Sequence, residues 1–165
     1  MTTGTGERRV LAGSATDSDY TVTSNATLIS GAGYGVYVRA TVDSASALTG
    51  YCIQVDHAYG QLVGRELQSD FELSTPLARV SPPTGFAWYG TPHVLVIRMQ
   101  GNTMNVTLDG VQAINIPNLA VASAAAVKSS YGVTTTITPP TAGGYGLRSW
   151  SDGLVTLQQM TVGPA

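Results

Sequence analysis

The side chains able to do chemistry in this sequence are few and scattered. Carboxylates cluster once, at Glu66, Asp70 and Glu72. A retaining glycosidase needs two carboxyls about 5–5.5 Å apart, a separation that alternate positions of a strand can supply. Asp70 and Glu72 have that spacing, but Ser69-Asp70 has the composition of a turn, and Glu66 stands apart from both. The cluster is expected to be a solvated loop edge, and no catalytic residue is assigned. The two histidines, His57 and His93, belong to no HExxH, Cys/His or Ser-His-Asp pattern. His57 sits at a strand-to-loop junction, and His93 is expected only to fill an edge position at the start of a strand. Cys52 is the single cysteine. It lacks neighbours that would favour a thiolate and is expected to be a small buried apolar residue.

Ring-bearing residues suggest a different chemistry. A sugar is held when the apolar face of its ring lies on an aromatic side chain while amides and carboxylates take its hydroxyls. Trp88 and Tyr89 lie in the Pro- and Gly-rich stretch at residues 82–90, and Tyr59 follows His57 by two positions. Trp150 ends a Gly-Leu-Arg-Ser-Trp run. His57, Tyr59, Trp88, Tyr89 and Trp150 are the candidate ligand-binding residues. The bland alternatives are a loop-tip histidine, a Trp88 that plugs one end of the core, and a Trp150 that belongs to the framework.

These side chains must be positioned by strands. Over residues 35–42, Val36, Val38, Ala40 and Val42 alternate with Tyr37, Arg39 and Thr41, the period of a half-buried strand. Over residues 51–56 both alternating sets carry bulk, as in mid-sandwich strands. Shorter strands are expected at residues 61–67 and 78–81. The clearest unit is a meander over residues 93–116. Pro92 precedes it, Gly101-Asn102 makes its first turn, Asp109-Gly110 its second, and Pro117 ends it. Met104, Val106 and Leu108 are expected to face inward. Asn118 can cap a short helix through the alanine-rich run that follows, or the run forms a loop. A long connection extends from there to Gly143, and two strands around Ser151-Asp152-Gly153 close the chain. Many short strands separated by turns indicate a sandwich or jelly roll.

Four stretches carry a family resemblance: Tyr34-Gly-Val-Tyr-Val-Arg39, Gly50-Tyr-Cys-Ile-Gln-Val-Asp56, the turn-bounded Gly101 to Gly110 segment, and Gly144-Tyr-Gly-Leu-Arg-Ser-Trp150. In this order they resemble the concanavalin A-like lectin/glucanase superfamily, in its laminin-G-like bacterial and phage branch, over roughly residues 16–163. The resemblance implies an all-β fold, a two-sheet antiparallel β-sandwich of the jelly-roll type, with about a dozen strands. It also implies an adhesive role, often toward sugars. The glucanases of the superfamily carry alternating carboxylates on one strand, a pattern this sequence does not match, so no enzyme is expected. No cofactor is expected either. Calcium occurs in parts of the superfamily, and Asp56, Asp109 and Asp152 are the donors available for it, although turns explain Asp109 and Asp152 better.

Composition bounds the rest. The 165 residues suit one domain and are 43% hydrophobic but only 11% charged, with 19 glycines and a net charge of −2. Nucleic acid is excluded as a partner, because phosphate neutralisation needs a concentrated positive face and the sequence has no basic cluster beyond Arg8-Arg9. No apolar run reaches the roughly 20 residues of a membrane span, and no apolar leader follows Met1. Residues 1–13 have the composition of an arm that orders against a neighbour, and residues 14–165 form the sandwich domain. Together these features favour a phage virion protein, a capsid decoration or minor tail component. Such a protein would join other virion proteins or self-associate through its arm, and would hold cell-surface glycans weakly. The alternative is a carbohydrate-binding module of a secreted or cell-surface bacterial protein. A glycoside hydrolase is third.

Overall fold

The computed structural model describes residues 7–132 and 138–165. Two antiparallel sheets face each other. The first contains β1 (Arg8–Ala12), β11 (Gly144–Trp150), β3 (Gly33–Val42), β4 (Leu48–Asp56), β5 (Gln61–Gln68) and β6 (Phe71–Glu72) in that order, with β7 (Ala78–Val80) also on β5. The second runs β10 (Val111–Ile116), β9 (Thr103–Leu108), β8 (Pro92–Gln100), β2 (Tyr20–Ser30) and β12 (Leu154–Pro164). The one helix among the described residues, α1 (Leu119–Tyr131), follows β10, and no helix there is long and apolar enough to cross a membrane. The all-β sandwich expected from the sequence is the observed architecture. Arg8–Ala12, which fall within the stretch expected to be an arm, are an edge strand paired to β11.

Alternation builds the core. Val36, Val38, Ile53, Val55 and Leu62 of the first sheet meet Val22, Leu28, Leu95, Ile97, Met104 and Val106 of the second, all buried. The opposite face of the first sheet carries its own small apolar cluster of Tyr37, Ala40, Leu48, Cys52 and Leu67. Ala40 was expected to share a face with Val36 and Val38. It joins Tyr37 instead, because Arg39 adopts a left-handed conformation with φ 46° and the β3–β4 register slips between Val38 and Thr41. A bulge of this kind reverses every later side chain. Burial raises the Cys52 thiol to about 12, which keeps it protonated and inert, as its surroundings in the sequence suggest.

Arg39 and Tyr20 pin the end of the sandwich at this bulge. The Arg39 guanidinium is buried, and donates to the carbonyls of Ser18 (3.0 Å) and Gly101 (2.7 Å). The Arg39 backbone N–H donates to the Tyr20 hydroxyl (2.6 Å), which itself donates to the Gly143 and Gly144 carbonyls. Burial pushes the Tyr20 phenol up to about 12, so it remains a donor throughout the physiological range. Tyr20→Phe would leave a buried N–H and two carbonyls with fewer partners. The expected cost is about 1–2 kcal/mol, read as a lower urea midpoint with an unchanged slope.

The long connection after β10 begins with α1. Asn118 caps it, its Oδ1 accepting from the Val121 N–H at 3.1 Å. Leu119, Ser123, Ala126 and Val127 form its buried face, with Ala126 and Val127 against Leu73 and Leu77. Gly132, with φ 68°, ends it. Residues 133–137 of the connection lie outside the described residues.

Candidate functional site

Glycines make the site. On the face of the first sheet turned away from the core, Trp150 lies opposite Gly33, and Arg148 opposite Gly35. A Cβ on Gly33 would come within 2.8 Å of the Trp150 ring, and one on Gly35 within 3.1 Å of the Arg148 side chain. The missing side chains let the indole and the guanidinium stem lie against the neighbouring strand. The Arg148 guanidinium then sits 4.9 Å from the Trp150 ring and 5.8 Å from the Tyr37 ring, within cation–π range of both.

Around Arg148 stands a network of charges. Arg148 meets Glu72 at 3.0 Å and Glu7 at 3.3 Å. Glu72 also takes Arg65 at 2.6 Å and the Gln54 amide at 3.0 Å. The Tyr37 hydroxyl donates to Glu7 at 2.5 Å. Farther along, Arg9 pairs with Asp70, and the Arg9 guanidinium holds the Asp70 carboxyl below its ordinary value. The acidic cluster of the sequence is therefore divided. Glu72 is paired on the outer face, Asp70 sits in a turn with φ 68°, and Glu66 faces the core.

The row through Trp150 and Gly33 continues to Asp56 on β4. Asp56 is buried and accepts from the Tyr59 backbone N–H at 3.2 Å. Burial raises its carboxyl above the usual range, opposed by the Tyr59 and Ala58 N–H groups. That bond folds the 57–60 turn, which presents Tyr59 to solvent at 69% exposure. His57, in the same turn, packs against Trp88 (5.4 Å between ring centres) and Tyr89 (4.7 Å). The Tyr89 hydroxyl donates to the Gly31 carbonyl and lies 2.8 Å from His57 Nδ1. When the hydroxyl serves Gly31, the proton between the two rings resides on His57.

Of the five predicted ligand-binding residues, His57, Trp88 and Tyr89 touch one another. Tyr59 is joined to them by its turn. Trp150 is linked through the Gly33–Asp56 row and contacts Arg148 rather than the loop rings. Trp88 is half-buried, packed on the core and edge-on to Phe86. His93 departs from expectation. It is buried, stacked on Phe86, with Nδ1 2.7 Å from Asp109 and Nε2 2.7 Å from the Ala87 carbonyl, so it ties the 82–91 loop to the β9–β10 turn. Asp56 ends β4 whereas Asp109 and Asp152 sit in two separate turns, and among the described residues no three His, Cys, Asp or Glu side chains gather as metal ligands do.

Sequence reasoning missed Arg148, Tyr37, Gln54, Glu7 and Gly35. One signal was present. Gly33 and Gly35, and likewise Gly144 and Gly146, recur at the period of a strand, and glycine repeated along one strand marks a place where something lies close.

No family model matches the chain, and no curated protein matches it by sequence. Solved structures do. The carbohydrate-binding module CBM66 from Bacillus subtilis superposes with a TM-score of 0.69 at 17% identity, covering 96% of this chain and 83% of that one. The exoplasmic/lumenal domain of VIP36, in a Ca2+/Man-bound form, gives 0.67 at 11% identity, over 99% of this chain and 76% of that one. The Caenorhabditis elegans galectin LEC-6 gives 0.61 at 9% identity, over 98% and 93%. The fold is that of the concanavalin A-like and galectin jelly-roll lectins, as the sequence motifs suggest.

Proposed function

We propose that this chain is a non-catalytic carbohydrate-binding module. Its site is the rim where Trp150 and Arg148 meet the 57–60 turn. The observation that carries this reading is the indole of Trp150 laid over Gly33 with a guanidinium 4.9 Å from its ring. An indole supplies an apolar platform for the C–H face of a pyranose. Exposed Tyr59 and half-exposed Tyr89 extend the surface. Trp88, held on the core, serves as the buttress that fixes His57.

Lectins and a carbohydrate-binding module among the similar structures support this reading. The division of Glu66, Asp70 and Glu72 among three environments favours binding over hydrolysis. The reading implies a secreted or surface-attached protein. The virion role favoured by the sequence has no observation on its side: Arg8–Ala12 of the expected arm are spent within the chain's own sheet. That role is not carried forward.

A broad glycan array tests the proposal. The wild-type protein is expected to bind a defined set of glycans, Trp150→Ala to lose them, and Tyr59→Ala to weaken them. Binding unchanged in both variants would move the site elsewhere, and no binding at high protein concentration would refute the function.

A further inference from the structure

We infer that Tyr37 and Arg148 form a carboxylate receptor, filled in the free protein by Glu7, and that this receptor selects glycans containing uronic acids. The inference rests on the carbohydrate-binding reading and names its substrate class.

Glu7 is held as a ligand carboxylate would be. One oxygen accepts from the Tyr37 hydroxyl at 2.5 Å, and the other meets Arg148 Nη2 at 3.3 Å. Both donors are fixed by the sheet. Tyr37 is fully buried on β3, and Arg148 is 6% exposed on β11. Arg148 is held from behind by Glu72 at 3.0 Å, and Glu72 by Arg65 and Gln54. Glu7 is the loose member. It precedes the first paired residue of β1, and its side chain is 35% exposed.

Charge says what replaces it. Two guanidinium groups, Arg65 and Arg148, balance two carboxylates, Glu72 and Glu7. Moving Glu7 away leaves one uncompensated positive charge beside a phenol, a site for a monoanion with two oxygens. Arg148 Nε is buried without a hydrogen-bond partner among the described residues. The guanidinium lies over the Trp150 ring, 4.9 Å from its centroid. A hexuronate places its carboxylate one bond from the pyranose ring, so one sugar unit can meet the guanidinium and the indole together. A neutral hexose has no group to displace Glu7.

The test is calorimetric titration of wild type and Glu7→Gln with uronate oligomers, neutral hexose oligomers of equal length, and a sulfated counterpart. Glu7→Gln is expected to bind the uronate about tenfold more tightly or better, the gain of one charge-assisted contact, with neutral sugars unchanged. Adding Arg148→Met should erase the gain. Tyr37→Phe in the Glu7→Gln background should reduce it, and serves if the Arg148 variant fails to fold. Neutral sugars bound equally by both proteins, without a uronate gain, would overturn the inference and leave the carbohydrate-binding reading intact. A gain shared by neutral sugars would make Glu7 a steric cover only, and an equal gain for the sulfated ligand would overturn the carboxylate assignment. Failure of every sugar to bind either protein would overturn both readings.

Discussion

Gly35→Val is expected to lower stability by roughly 3 kcal/mol and to abolish glycan binding. Strand propensity alone points the other way, since valine fits a strand better than glycine. Space decides. A Cβ at residue 35 would fall 2.5 Å from Cys52 Sγ and 3.1 Å from the Arg148 side chain. Both neighbours are buried, so neither has room to give. Overpacking of this kind costs about 1–3 kcal/mol. Displacing Arg148 adds the loss of the cation that Glu7 and Glu72 share. Urea unfolding and sugar titration measure the two effects. Combining Gly35→Ala with Cys52→Ala separates them: the double variant should recover part of the stability by relieving the sulfur contact, yet stay weak in binding because Arg148 remains displaced. Full stability in the Gly35→Val protein would show that the guanidinium has somewhere else to lie.

Glu66→Gln is expected to stabilise the protein by about 2–3 kcal/mol near neutral pH. Glu66 faces the core side of β5, opposite Tyr51 and beneath α1, and is fully buried. Its Oε1 takes the Gln68 amide at 2.5 Å, while its Oε2 and the Tyr51 hydroxyl have no hydrogen-bond partner among the described residues. Burial raises the carboxyl above its ordinary value, and Ser123 and Gln68 oppose that only in part. The sign follows from linkage. A carboxyl whose folded pKa lies above its unfolded one stabilises the fold while both states are protonated, below the ordinary range of ~4–5. That contribution is lost as pH rises through the folded value, because the unfolded chain releases its proton first. Melting temperatures of wild type and Glu66→Gln should therefore converge in acid and diverge toward neutrality. Curves that run parallel across that range would mean that the carboxylate finds compensation when ionised. The same pair of proteins reports on α1, since Ser123 is the helix residue over this site.

The two cases show which parts of the molecule were legible. The β8–β10 meander was readable because every inward residue of β9 is apolar and Asp109-Gly110 needs the positive φ that both residues adopt. The N-terminus of α1 was readable from Asn118. β2 was not, although it is paired on both sides, with β8 and β12. Its inward set includes Ser24, and Thr27 is buried beside Ala26, so polar residues blur the alternation. The change of face after Val38 was hidden because nothing about an arginine announces a left-handed backbone. The loop rings stood out as candidates because aromatic residues in Pro- and Gly-rich stretches are conspicuous. The charged centre was not, because Glu7, Tyr37, Glu72 and Arg148 are brought together only by strand order and register, over 141 positions of chain between the first and last.

The central claim is that Trp150, and not the core-packed Trp88, is the sugar platform. The chain has two tryptophans, so a 15N-labelled sample gives two indole N–H signals, assignable with Trp150→Phe. The measurement is an NMR titration with the best glycan from the array. The account predicts that the Trp150 indole and the Arg148 side chain shift with a common dissociation constant while the Trp88 indole moves little. A saturable shift confined to Trp88 and its loop, with Trp150 unmoved, would contradict it.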